Sequence, residues 1–224
     1  MFIGTRLPGV DLSFPVPTHG KDQSHPLDHG LLPYVTVAEA IGDLPRLLDK
    51  NATYQDAYSA APSNSFQRYA RAKSGHTVTL HTPRRLSPQA ARIASFVGQG
   101  QGLRAVPVQH LPERFQKMRR ISTGALRRDC TTLYYRLHPN RPAYTITCYY
   151  TNIASGPFLH PWEDRSLSHR EAARLMSFPD HFEFLGPGCP RQIGNAVPPL
   201  MAAAAGRQIA ELLSRADAPH RRAA

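Results

Sequence analysis

Arginine, serine and threonine crowd into one part of this 224-residue sequence. Between positions 114 and 141 stand Arg114, Lys117, Arg119, Arg120, Arg127, Arg128, Arg136 and Arg141, opposed only by Asp129. Interleaved are Ser122, Thr123, Thr131, Thr132, Tyr134 and Tyr135. Arginine contacts phosphate or bridges guanine O6 and N7, and hydroxyls hold phosphate oxygens. A solvated basic face has the same composition, so these residues alone leave both readings open. The balance of the whole chain, Lys+Arg 27 against Asp+Glu 16 for a net +11, favours a polyanionic partner, either nucleic acid or a membrane surface.

Two other groups of residues could carry chemistry. Cys130, Cys148 and Cys189 form no CxxC pair, so the expectation is reduced thiols, with no metal site and a cytoplasmic location. No run of 18 apolar residues exists to span a bilayer, and the first residues lack the pattern of a secretory signal. The second group is Arg191-Gln192-Ile193-Gly194-Asn195-Ala196-Val197-Pro198-Pro199-Leu200. Gly194 permits a turn, Asn195 suits a helix N-cap, and Pro198 and Pro199 suit a first turn. A narrow helix rich in alanine then runs to about Leu213. A capped, well-packed helix accounts for this pattern.

The elements that must position these residues are partly readable. Thr36 and Glu39 form a capping box, as do Ser168 and Glu171, each opening a helix. The second helix stops before Phe178-Pro179 and leaves His169 exposed in its first turn, with no catalytic role. Ser87 before Pro88 starts a helix through about Phe96. Residues 76–81, 133–137 and 144–150 read as strands, the last two joined by a turn at 138–142, and residues 1–6 as a short strand. Tyr54, Tyr58 and Tyr69 are expected to pack in a core. The tail from Ser214 is expected to be disordered.

The stretch RQIGNAVPPLMA resembles the last signature of the DNA cytosine-5 methyltransferases. Arg165 to Asp180 is similar to the helix that precedes it in that family, and Arg136 with Arg141-Pro142-Ala143-Tyr144-Thr145-Ile146 to the penultimate signature. The resemblance implies that Gly194, Asn195, Ala196 and Val197 close part of an S-adenosylmethionine pocket. Together with the basic run, it favours double-stranded DNA as the partner, contacted by Arg119, Arg120, Ser122, Thr123, Arg127, Arg128 and Arg136. Phe96-Val97-Gly98-Gln99-Gly100 has the residues of the family's cofactor loop but follows a helix, so it reads as a structural turn.

The family's nucleophile lies in a Pro-Cys-Gln loop and its assisting glutamate in a Glu-Asn-Val segment; the sequence contains neither. The expectation is therefore a carboxy-terminal half: an α/β chain forming an incomplete Rossmann-like methyltransferase unit with an inserted, small, irregular β-containing target recognition domain. Residues 1–45 would end the catalytic domain, 46–150 recognise DNA, 151–215 close the cofactor domain, and 216–224 form the tail. Such a chain would share its cofactor with a polypeptide carrying the amino-terminal catalytic half. It would be inactive alone, act in restriction-modification, and associate with the nucleoid. The alternative is a non-catalytic DNA-binding protein, or a remnant, that kept the recognition domain.

Overall fold

Most of the expected caps form. The computed structural model describes residues 14–21, 30–47, 57–82, 84–118 and 130–221. They fall into two compact units, Met1–Tyr34 with Val197–Ala224 and Val35–Ala196.

In the first unit, β1 (His19–Gly20) pairs in parallel with β2 (Leu32–Pro33). The long helix of this unit is Pro199–Arg221, and the Ala202 amide donates to the Pro198 carbonyl at 2.9 Å. Pro198 and Pro199 thus open the helix, where a missing N–H costs little. The helix runs past the expected stop at Leu213, so the tail is helical as far as Arg221, and the expectation of disorder from Ser214 is corrected. Glu211 to Ala218 is rich in strong helix formers, and nothing there terminates the helix. The expected strand at residues 1–6 lies outside the described residues.

The second unit is built on short helices, α1 (Val37–Ile41), α2 (Ser65–Arg71), α3 (Pro88–Ser95), α4 (Glu113–Gln116), α5 (His169–Leu175) and α6 (Cys189–Gly194). Both capping boxes close, with the Glu39 and Glu171 side chains returning to the Thr36 and Ser168 amides. Two more amides at the start of α1, those of Val37 and Ala38, donate to the carbonyls of Arg141 and Pro139 at 2.9 and 2.8 Å. The 138–142 turn therefore satisfies donors that a helix start leaves open.

The three expected strands of this unit do not form ladders. Around Arg136 the backbone exchanges hydrogen bonds with Gly100 and Gln101 on one side and with Leu159 on the other. Bonding thus passes between short segments, leaving single bridges such as Arg136 with Leu159. Residues 144–150 bend back at Thr147, whose carbonyl accepts from the Tyr150 amide at 3.1 Å. At 76–81, Leu80 takes a positive φ of 60° and its carbonyl accepts from the Arg170 amide at the start of α5.

The larger core joins α1, Leu137, Ile146, Tyr150, α5 and α6, with Val37 and Ile193 fully buried. A second core gathers Ile93, Leu103, Phe115, Tyr134 and Leu159. The expected boundaries at 45 and 150 therefore cut through a shared core: residues 36–45 and 151–196 pack with the middle of the chain.

Helix α5 carries unusual buried charge. Arg174 gives all five N–H donors to Asp43, Asp180 and the Ala40 carbonyl, with Nε to Asp180 Oδ1 at 2.8 Å and Nη1 to Asp43 Oδ1 at 2.5 Å. Tyr58 donates to the same Asp180 at 2.6 Å, and Tyr69 to the Ser177 carbonyl at 2.9 Å; Tyr54 lies outside the described residues. Burial and the Asp180 carboxylate push the Tyr58 hydroxyl up to about 12. Arg165 likewise spends five donors on Glu163, Glu171 and the Ser166 carbonyl, gripping Glu171 with two bonds of 2.6 and 2.7 Å.

Burial alone would raise the pKa of Glu171, but Arg165 and the hydrogen bonds it donates outweigh that and hold it well below the carboxylate range. His160 Nδ1 accepts from the Trp162 and Glu163 amides, so the ring is neutral and presents Nε2–H to Glu171 Oε1 at 3.4 Å. His81 Nε2 faces the Pro45 carbonyl at 2.9 Å, which makes it the donor and leaves Nδ1 to accept from the Ser168 hydroxyl. Burial lowers both histidine pKa values.

These shifts have one sign in acid. The lowered histidines stabilise the fold fully above the unfolded value of about 6.5 and lose that contribution as pH falls below it; the lowered Glu171 does the same below about 4.3. Urea unfolding at pH 8, 6 and 4 should therefore show midpoints falling stepwise, where a midpoint unchanged from pH 8 to 4 contradicts the assignment. At neutral pH, Arg174→Met should cost about 3–5 kcal/mol in the same experiment, because two carboxylates are left buried without their cation.

Candidate cofactor edge and nucleic-acid interface

The residues at the carboxy-terminal end of α6 occupy four different environments. Ile193 is sealed in the larger core, which pins the helix against α5. Gly194 is the last helical residue, and a Cβ there would lie 2.1 Å from the Cys148 amide nitrogen. The glycine is required by this close approach of two backbones; its own conformation is helical. Asn195 is the helix C-cap, not the expected N-cap of the next helix, with its amide donating to the Arg191 carbonyl at 3.0 Å. Its side chain is exposed and makes no hydrogen bond among the described residues. Ala196 is partly buried against the core, and Val197, which opens the other unit, is 55% exposed. The exposed Asn195 side chain thus sits on a backbone pinned by Ile193 and Gly194.

Two of the three thiols, Cys130 and Cys189, are buried, and Cys148 is half-buried. Cys189 is buried at the start of α6 and hydrogen-bonded with Tyr150, and burial raises its pKa. Tyr150 also meets His169 Nδ1 at 2.5 Å, so His169 is half-buried and paired where sequence placed it in solvent. Burial of the His169 imidazole lowers its pKa. Cys130 is buried with its sulfur 3.5 Å from that of Met118. Among the described residues no group of histidine, cysteine and carboxylate side chains could hold a metal ion.

Of the seven residues expected to contact DNA, Arg119, Arg120, Ser122, Thr123, Arg127 and Arg128 lie outside the described residues. The seventh, Arg136, is corrected. It is only 6% exposed, and its five N–H groups go to the carbonyls of Val97, Ala94, His160 and Glu163 and to the Asp164 carboxylate. An arginine so fully spent has no donor left for a phosphate or a base. Instead it ties the turn after α3 to residues 160–164. The glycines of that turn are structural as expected: Gly100 has φ +72°, and a Cβ on Gly102 would lie 2.6 Å from the Thr131 carbonyl.

The buried pairs Arg165–Glu171 and Arg174–Asp43/Asp180 escaped the sequence reading. The Ser168-x-x-Glu171 pattern shows the cap, but nothing local shows that the same carboxylate also takes an arginine.

Comparison with known proteins places this geometry. A crystal structure of a DNA modification methyltransferase encoded within a prophage of E. coli superposes with TM-score 0.53 at 21% identity, covering 84% of this chain and 51% of that one. The chain therefore shares the fold of part of a DNA methyltransferase. The family model for C-5 cytosine-specific DNA methylases matches residues 16–211, and the chain belongs to that family. Type II methyltransferase M.NgoFVII of Neisseria gonorrhoeae is 30% identical over 206 residues, covering 89% of this chain and 41% of that protein. Type II methyltransferase M.AquIB of Picosynechococcus is 36% identical over 121 residues, which cover 46% of this chain and 84% of that protein. This chain thus spans 41% and 43% of the lengths of M.NgoFVII and M.DdeI. Among the described residues no helix is long and apolar enough to cross a membrane.

Gly194→Ala should cost about 1–3 kcal/mol of stability through overpacking against Cys148, measured as a lowered urea midpoint. An unchanged midpoint would mean that the two backbones are free to separate.

Proposed function

We propose that this chain is the carboxy-terminal part of a DNA (cytosine-5)-methyltransferase. It supplies recognition of double-stranded DNA and one edge of the S-adenosylmethionine pocket. The nucleophile, the assisting glutamate and the cofactor loop come from a polypeptide carrying the amino-terminal catalytic half. The observation that carries the reading is the seating of Gly194 on Cys148, which locks the last family signature onto the backbone that follows the penultimate one. The family match across residues 16–211 supports it. So does M.AquIB, a Type II methyltransferase most of whose length corresponds to a segment of this chain.

Cytosine C5 is a weak nucleophile, and the family's thiolate adds to C6 to make C5 reactive after the base has been flipped from the helix. S-adenosylmethionine, when bound, supplies the electrophilic methyl group. In this chain Asn195 and Val197 would line the pocket edge, and Gly194 and Ala196 would hold them in place. Arg119, Arg120, Ser122, Thr123, Arg127 and Arg128 would hold DNA phosphates and base edges. The buried state of Cys130 and Cys189 agrees with a nucleophile supplied from elsewhere.

The test is transfer of labelled methyl groups from S-adenosylmethionine to mixed-sequence DNA, with the chain alone and with the amino-terminal half. Incorporation is expected only in the mixture. In that mixture Asn195→Ala should lower kcat/KM for the cofactor about tenfold, the equivalent of ~1.4 kcal/mol, with no change in the unfolding midpoint. Methylation by the chain alone overturns the reading. Silence in both with retained DNA binding points to a non-catalytic DNA-binding protein.

A further inference from the structure

Between the Gly100–Ala105 turn and Tyr135 lies an open cleft of about 440 Å³. Its lining includes Gly100, Gln101, Gly102, Arg104, Thr131 and Tyr135, and none of its lining residues is acidic. The volume falls within the roughly 300–1,000 Å³ of small-ligand sites. The glycines make one wall, and they are held there: a Cβ on Gly100 would press His138 at 3.1 Å, and one on Gly102 would strike the Thr131 carbonyl. The Tyr135 ring adjoins Gly102, 3.3 Å from where its Cβ would be, and packs edge-on against Tyr144 with ring centres 5.2 Å apart; Tyr144 is itself exposed.

Two side chains of this cleft keep donors that the described residues do not use. Arg104 is exposed and has no ion pair or hydrogen-bond partner among the described residues. Exposed Gln101 uses its carbonyl oxygen to accept from the Gly98 amide at 3.1 Å, and its amide nitrogen has no hydrogen-bond partner among the described residues. Arg136, one turn of chain away, is by contrast fully consumed by the protein. A second cleft of the same size, beside Lys73 and Phe182, includes Asp180 and Glu183 and so presents the wrong charge to an anion. In sequence, Thr131 follows Arg127-Arg128 after Asp129 and Cys130, at the end of the basic run.

We propose that this cleft seats one phosphodiester of bound DNA, with Arg104 and the Gln101 amide as donors to the phosphate and Tyr135 as the wall against the adjoining sugar. It rests on the recognition reading above and gives that reading a position within the described residues. A phosphate seat holds the duplex in place without choosing its sequence. Each phosphate neutralised releases counterions, so its loss shows in the salt dependence of binding.

The experiment measures binding of the full chain to a fluorescein-labelled mixed-sequence duplex over a range of salt, for wild type, Arg104→Ala, Arg104→Lys and Arg92→Ala. Arg92, exposed on α3 and outside the cleft, controls for the loss of one charge. Arg104→Ala should weaken binding about tenfold at low salt and reduce the slope of log K against log salt by about one. Arg104→Lys should restore most of both, and thermal melting should match wild type throughout. A wild-type chain that binds while Arg104→Ala behaves as Arg92→Ala does overturns the cleft alone. A loss confined to one preferred DNA sequence, with the salt slope intact, overturns the phosphate assignment. A wild-type chain that leaves the duplex unbound overturns the recognition reading and the cleft with it.

Discussion

The carboxylate of Glu171 is the point on which the larger unit turns. One of its oxygens accepts from the Ser168 amide and from Arg165; the other accepts from Arg165 and faces His160. It is 1% exposed. A buried ion of that kind costs several kcal/mol in lost hydration, and only a full set of well-placed donors offsets it. That requirement dictates what surrounds it. Arg165 must be aimed by Glu163, His160 must be neutral with its proton on Nε2, and Ser168 must stay at the helix start.

From there the constraint spreads through residues 160–165. The carbonyls of His160 and Glu163 take the Arg136 guanidinium, whose other donors reach back to Ala94 and Val97. One turn further along α5, Arg174 reaches Asp43 and Asp180. A helix of seven residues thus carries charges that tie it to Arg165 before it, to Asp43 just after α1 and to Asp180 just beyond its own end. Such charge is weak evidence for stability, since apolar replacements of the same volume often do as well. What it fixes is arrangement. The ion pairs admit few alternative packings, and they hold the Gly194 turn and the glycine cleft within one core-bearing unit.

Local rules were legible in the sequence and non-local ones were not. Thr36–Glu39, Ser87 and Ser168–Glu171 announce their helices because a cap is made within four residues, and the glycine turn at 98–102 was legible for the same reason. The aromatic and β-branched runs at 133–137 and 144–150 misled because strand propensity describes a half-buried surface, and here that surface is shared among short, scattered segments. Arg136 stands in a basic run and reads as a DNA contact; its five acceptors come from positions 24 to 42 residues away, which no local pattern reveals. Asn195 read as an N-cap because its neighbours are helical on both sides. The structure makes it the C-cap of the first helix, which leaves its side chain outward and available.

On the function proposed above, the attacking sulfur lies outside this chain. DNA carrying 5-fluorocytosine tests that directly, because fluorine at C5 blocks the final elimination and traps the sulfur that has added to C6. The measurement is the mass of each polypeptide after incubation of both halves with this DNA and S-adenosylmethionine. The expected result is a covalent adduct on the amino-terminal half, with this chain unmodified at Cys130, Cys148 and Cys189. An adduct on any of those three cysteines contradicts it.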